Sequence, residues 1–253
     1  MLVPKAIEEI DYDSLKNDIV EHLKEIRDID IVFLESDTFS LIVEAFIYRE
    51  MLLRARINDA LRASYIWTAT SSDLDAIAAL YGVSRLEDEE DDRLRERCIL
   101  SLYAQSTAGS KKSYIFWTKS VSNNIKEVEI LNPTAGVVEV VYHSDNDYTT
   151  EISNICSGDD VIPLCDTVIV TKATIVNANI ELAIEILSDF NIIDIRNAIK
   201  ESFGNLSLGI GADLPLSKIY DTAHVEGVYK VTTNAIDVIA NEREVIQPNI
   251  IFI

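Results

Sequence analysis

Cysteine and histidine are scarce in this sequence, and their scarcity removes whole classes of chemistry. Cys98, Cys156 and Cys165 are the only cysteines, and His22, His143 and His224 the only histidines. No CxxC pair occurs and no histidine lies close to a cysteine, so the spacing of a zinc site is missing. An odd number of cysteines points to reduced thiols in a cytoplasm rather than a disulfide framework. Long apolar runs are lacking too. Nothing approaches the roughly 20 apolar residues of a membrane span. The opening Met1-Leu2-Val3-Pro4-Lys5-Ala6 has no apolar core of the kind a secretory signal carries. The expectation is a soluble protein made in a cytoplasm, with no membrane contact. Positive charge is also short: 22 Lys+Arg stand against 43 Asp+Glu, a formal net charge of -21. Such a surface repels phosphate backbones, and the nearest basic patch is the pair Lys111-Lys112, so nucleic acid is not expected as a partner. The acidity reads either as solubility or as a face that docks on a basic partner.

Catalytic signatures are equally thin. GxSxG, HExxH and the P-loop do not occur. Gly209-Ile210-Gly211 lacks the third glycine of a dinucleotide fingerprint, and no strand of a βαβ unit precedes it. An EF-hand starting at Asp145 would need glycine at Thr150 and glutamate at Cys156, so Tyr142–Asp147 reads as a polar loop. His224, near the end of an amphipathic segment, reads as a satisfied polar neighbour rather than a base. Scattered carboxylates could pair for acid–base work, but sequence places no two together.

What the sequence does have is helical periodicity in its first hundred residues and strand alternation after that. Hydrophobic residues make up 48% and charged residues 26%, enough for a real core. Tyr12, Leu15, Ile19, Leu23 and Ile26 recur every three or four positions and predict a first helix to about Ile29. Ser36-Asp37-Thr38 is a capping signal for a long helix from Thr38 to Ala69, about 48 Å at 1.5 Å per residue. Its stripe is Phe39, Ile42, Phe46, Leu53, Ile57, Leu61 and Tyr65, interrupted by Glu50. A short helix from Asp73 to Tyr81, capped by Ser72 or Asp73, stops at Gly82. Six consecutive acids, Glu87 to Asp92, precede a helix reaching about Tyr103, where they either favour the helix N-terminus or form a metal or partner site.

Beyond Gly109 the order is helix Ser110–Val121, strand Ile125–Leu131, a turn at Asn132–Gly136, strand Val137–Tyr142, helix Thr149–Cys156 and strand Thr167–Thr171. A second unit follows: strand Thr174–Leu187, helix Phe190–Phe203, helix Leu214–Ala223 with Pro215 early, strand Gly227–Thr233 and a last strand Asn249–Ile253. The fold class expected is α+β: an N-terminal helical domain with a long helix over 1-107, a middle α+β domain over 108-172 and a C-terminal α+β domain over 173-253. Hinges are expected where the units join, near Ser106–Gly109 and Thr171–Ala173.

The segment Tyr48-Arg49-Glu50-Met51-Leu52-Leu53-Arg54-Ala55-Arg56-Ile57-Asn58-Asp59-Ala60 resembles the core of the long helix of the phage baseplate assembly protein J family, and further motifs follow in that family's order. Asp73-Leu74-Asp75 with Tyr81-Gly82-Val83-Ser84-Arg85, then acids and Asp92-Arg93-Leu94-Arg95, is similar to its next stretch. Ala108-Gly109-Ser110 with Tyr114, Val161-Ile162-Pro163-Leu164-Cys165-Asp166-Thr167-Val168, and Gly209, Leu216-Ser217-Lys218-Ile219 and Gly227-Val228 resemble its later ones. The chain is shorter than many relatives, and Asn234–Gln247 lacks a proline common after the Gly-Val strand.

The resemblance implies a structural wedge subunit of a contractile phage tail or related injection system, with no catalytic residue, cofactor or metal. It implies a second copy of the chain and a smaller I-type wedge protein as partners. Their N-terminal helices would bundle, and the small domains would join wedges into a six-fold ring around the tail hub. A lysozyme-like or sheath-initiator baseplate protein would be a neighbour, and the place would be the virion tail baseplate, assembled in the host cytoplasm. On this reading Phe39, Ile42, Phe46, Leu53 and Ile57 form a partner interface in a shared helical bundle; otherwise they pack within the chain. A free-standing helical adaptor and an enzyme with an unrecognised carboxylate site are the rival functions.

Overall fold

The computed structural model describes residues 6–27, 37–105, 109–158, 161–163 and 166–253. Among them are eight helices and two three-stranded sheets, in the α+β order expected. The chain divides into two compact units: Met1–Arg85 with Glu90–Arg95, and Leu86–Glu89 with Glu96–Ile253. Ser36 of the capping signal, the expected 107/108 boundary and, of the first expected hinge Ser106–Gly109, all but Gly109 lie outside the described residues.

The first unit is built on two helices, α1 (Tyr12–Arg27) and α2 (Thr38–Ser64). Leu15 of α1 is buried with Val43 and Ile47 of α2, and Tyr12, Ile19 and Met51 pack around them. The segment before α1 is held across α2 by Asn58. Its buried amide donates to the Glu8 carbonyl at 2.8 Å and accepts from the Glu8 N–H at 3.0 Å, so both backbone groups are satisfied. The long helix ends at Ser64, five residues before the expected Ala69. Tyr65 leaves the helical region at φ -109, ψ 129, and Thr68 donates its hydroxyl to the Arg62 carbonyl at 2.6 Å. Arg95 then draws the Ile66 and Ala69 carbonyls to its guanidinium at 2.6 and 3.0 Å, which holds 66–69 as an ordered turn. The helix is therefore 27 residues, about 40 Å long.

Helix α3 (Ser71–Leu80) starts two residues earlier than predicted, and α4 (Asp91–Ala104) opens on the acidic run. Three of the six acids pair with cations within their own units. Asp91 accepts from Arg85 at 2.7 Å and from the Ser71 N–H at 3.0 Å, and Asp92 pairs with Arg95. Glu89 is buried on Arg97 at 2.7 Å. Only Asp91 and Asp92 lie in the first turn of α4. Ion pairing and the helix N-terminus thus account for Glu89, Asp91 and Asp92.

The second unit holds both sheets. Helix α5 (Lys111–Lys119), capped by the Ser110 hydroxyl, leads into β1 (Ile125–Thr134) and β2 (Val137–Ser144), an antiparallel pair; α6 (Thr149–Cys156) then crosses to β3 (Thr167–Lys172), parallel to β2. Tyr114, Ile125, Val140, Tyr142, Ile152 and Cys156 fill this core. Gly109 shows what a glycine does at this position. Its φ is +61, and a Cβ there would lie 2.5 Å from the ring of Pro163, so two motifs far apart in sequence meet at this point.

One residue, Ala173, separates β3 from β4 (Thr174–Ile186). Helices α7 (Ile192–Gly204) and α8 (Leu216–Ala223) follow, then β5 (Val228–Thr233), antiparallel to β4, and β6 (Glu244–Phe252), parallel to it on the other side. The core of this sheet is Ile180, Leu182, Ile195, Ile199, Phe203, Leu214 and Ile219. Pro215 stands at the N-cap of α8 rather than inside it, and Asp237 caps the helix by accepting the Leu216 N–H at 2.7 Å. The last strand is longer than predicted because it pairs along nine residues of β4.

Candidate assembly interface

Each functional expectation can be placed in this frame. The polar loop 145–149 does the work of a helix start, with Asp147 accepting from the Thr149 N–H at 3.0 Å, the Thr149 hydroxyl at 2.7 Å and the Tyr142 hydroxyl at 2.8 Å. These donors hold the Asp147 carboxyl down at about 2. Asp145 pairs with Lys126 at 2.9 Å. Gly211 sits in a turn whose N–H donates to the Glu244 carbonyl, and His224 Nδ1 lies 3.0 Å from the Tyr220 carbonyl at the end of α8. A cleft of 470 Å³ is lined by Lys126, Glu127, His143, Asp145 and Phe203. Its charged groups are engaged already: Lys126 pairs with Asp145, and Glu127 accepts a hydrogen bond from the Ser207 hydroxyl at 3.2 Å. Burial pushes the His143 imidazole below its usual range, so it stays neutral near pH 7. Cys156 is buried and its thiol is pushed up to about 11, which leaves it protonated and unreactive. Among the described residues no cluster of His, Cys, Asp and Glu could hold a metal, and no helix is long and apolar enough to cross a membrane.

The apolar stripe of α2 is different. Phe39, Ile42, Phe46, Leu53 and Ile57 are all exposed, Phe46 at 68% and Leu53 at 59%. They follow one another at intervals of three, four, seven and four, one row along the helix. The face of α2 that packs within the unit is another one, carrying Ser40, Val43, Ile47 and Asn58. Periodicity found the row but could not tell it from the core face, since both are apolar and both repeat with the helix. Three exposed residues that the row does not include, Leu41, Tyr48 and Leu52, widen the apolar surface. Single exposed apolar side chains are ordinary; eight on one 27-residue helix are not.

The motif beside it is a lock. Arg85 donates from Nε to Asp75 at 2.7 Å and from Nη2 to Asp91 at 2.7 Å, joining the helix that carries Asp75 to the start of α4. Asp91 sits below the usual carboxylate range, chiefly through the Ser71 N–H and then through Arg85. Replacing Arg85 by alanine leaves two half-exposed carboxylates side by side and is expected to destabilise the first unit by about 1–2 kcal/mol. Urea unfolding followed by helical circular dichroism measures it. Arg85→Lys should recover only part of the loss, because an ammonium cannot bridge both carboxylates in a planar fork.

Residues 35–92 match the family model of the Baseplate J-like N-terminal domain, a span that takes in α2, α3 and the Arg85 lock. Over nearly its whole length the chain is also similar to Baseplate protein J of Escherichia phage P2. The two are 28% identical over 275 aligned positions, covering 95% of this chain and 91% of that protein. Both findings bear out the resemblance read from the motifs.

Proposed function

We propose that this baseplate J-like chain is a structural subunit of a contractile-tail baseplate rather than an enzyme, and that it works as a wedge protein. In this role the exposed row of α2 is covered by helices of other subunits: a second copy of the chain and a smaller I-type partner. The two sheets of the second unit then connect wedges into a six-fold ring around the tail hub, next to a lysozyme-like or sheath-initiator protein. Assembly takes place in the host cytoplasm and the finished position is the virion tail baseplate. The observation that carries the reading is the apolar row itself. Fully burying side chains the size of Phe46, Leu53 and Ile57 is worth about 1.5–3 kcal/mol each, which a lone chain forgoes.

Coexpression with a smaller I-type baseplate protein tests the reading, with the mass of the purified product measured by light scattering. The expected result is a complex of two chains with one partner, lost when Leu53 is changed to aspartate. Leu53 is exposed, so the variant keeps its fold, and circular dichroism verifies that. A 28.3 kDa monomer indifferent to every tail protein would overturn the proposal. A complex untouched by Leu53→Asp would move the interface away from α2.

A further inference from the structure

An α-helix turns about 100° per residue, which sorts the side chains of α2 into arcs. Ser40, Val43, Ile47 and Asn58 make the buried arc. Opposite them, seven positions apart, stand Arg49 and Arg56, both exposed. Ile42, Phe46, Leu53 and Ile57 run along one flank of the two arginines, and Leu41, Tyr48 and Leu52 along the other. The guanidinium groups therefore sit midway across an exposed apolar arc about half the helix circumference wide. Among the described residues neither has a hydrogen bond or an ion pair. The other arginines of α2 are engaged: Arg54 with Glu50 and Glu8, Arg62 with Asp59. In a chain where 43 acids surround 22 cations, two cations left over in the middle of an apolar surface call for a partner outside it.

Resting on the assembly reading above, which puts two neighbours on α2, we propose that Arg49 and Arg56 select the one that lies over the middle of this arc: a helix of a different protein, apolar along its contact face and carrying two carboxylates seven residues apart, with any second copy confined to a flank. An apolar helix without those carboxylates would strip the guanidinium groups of water and give nothing back. A parallel copy of α2 would set Arg49 against Arg49 and Arg56 against Arg56, like charges in the seam of the bundle. Glutamate or aspartate at the facing positions pairs with each fork and fixes the register of the partner along α2.

The test uses the full chain and two synthetic helical peptides of equal length. Both carry a leucine seam, and they differ only at two positions seven apart, glutamate in one and lysine in the other. Binding is read by fluorescence anisotropy at low and high salt. The net charge of -21 biases encounter toward the lysine peptide, so a preference for glutamate reports local pairing. The expected result is glutamate binding about tenfold tighter, with the margin shrinking in salt. The double variant Arg49→Glu, Arg56→Glu should invert the order while its circular dichroism stays unchanged. Equal binding of both peptides overturns the charge inference and leaves the assembly reading standing. If neither binds while the chain self-associates through this arc, so that Arg49→Glu, Arg56→Glu changes its self-association, a second copy is the occupant and the inference is wrong. If neither binds and the chain stays monomeric, the charge inference falls alone, because the assembly reading is decided by the coexpression experiment.

Discussion

The substitution Gly227→Val should cost about 3 kcal/mol or more of stability. Two costs add. Gly227 has φ +91, a conformation that a β-branched side chain resists strongly. Its position is also buried, and a Cβ there would stand 2.6 Å from two atoms of the Phe190 ring and 2.8 Å from the Ile195 methyl. Ile195 belongs to the packed core, whereas Phe190 is 39% exposed, so the core side and the backbone angle carry most of the cost. Gly204 is the control, since a Cβ there meets nothing within 4 Å, and Gly204→Ala should be neutral or slightly stabilising. Thermal unfolding followed by circular dichroism reads both, with a drop of roughly 10 °C expected for the valine variant. A loss below about 1 kcal/mol would mean that α7 can shift away, and the packing account of this motif would be wrong.

The motifs that tie this sequence to the baseplate J proteins turn out to be packing devices. Gly109 admits Pro163, Gly227 admits Phe190, and Arg85 joins Asp75 to Asp91. Such features announce themselves locally, as a glycine, a proline or an Asp–Arg alternation, and sequence reading found them without knowing what they touched. Helix and strand identities were legible for the same reason, since period and alternation are local properties. Ends were less so. The run from Thr38 to Ala69 has no glycine or proline, yet the helix stops at Ser64 because Thr68 and Arg95, the latter some thirty residues on, take the carbonyls. The strand Glu244–Phe252 was half hidden, because Glu244, Arg243 and Pro248 do not look like sheet residues; parallel pairing with β4 imposes the conformation from outside. Environment was least legible of all. The row Phe39, Ile42, Phe46, Leu53, Ile57 reads the same whether it faces a core, a partner or water.

The junction between the two sheets is where sequence reading differs most from structure, and it yields the second large prediction. Thr171–Ala173 was expected to hinge; the structure clamps it. The Ala173 N–H donates to the Tyr142 carbonyl at 2.8 Å, and the next N–H, of Thr174, donates to the Arg243 carbonyl at 2.9 Å, so the chain passes from one sheet to the other without a free residue. Val141, Ala173 and Val245 are buried together there, with Leu131 and Ile210 against them. Across the junction Arg243 grips Glu139 with both arms, Nε to Oε1 at 2.8 Å and Nη2 to Oε2 at 2.5 Å, and the Thr171 hydroxyl adds a third donor at 2.9 Å. The partners lie 104 positions apart, which no local pattern reveals. The Glu139 side chain is 7% exposed and the Arg243 side chain 47%, so the carboxylate is the member that depends on the pair.

Arg243→Ala is therefore expected to cost about 2–4 kcal/mol at neutral pH, by leaving a buried carboxylate with one hydroxyl for company. The pH dependence follows from the direction of the shift. Arg243, the largest cause, holds the Glu139 carboxyl below its ordinary 4.5. In the intact chain this pair thus contributes stability that is fully present above 4.5 and is lost as pH falls through the lower folded value. In the variant the same group is dominated by burial, its carboxyl rises, and it can take up a proton on mild acidification. The stability gap between the two chains should accordingly narrow from about pH 7 to about pH 5. Urea unfolding of both at those two pH values measures it. A gap that does not change with pH would mean that the lost arginine acted through packing of its stem rather than through its charge. A narrowing gap, with the amides of Ala173 and Thr174 exchanging faster in the variant, would establish the ion pair as the element that makes two small sheets act as one body.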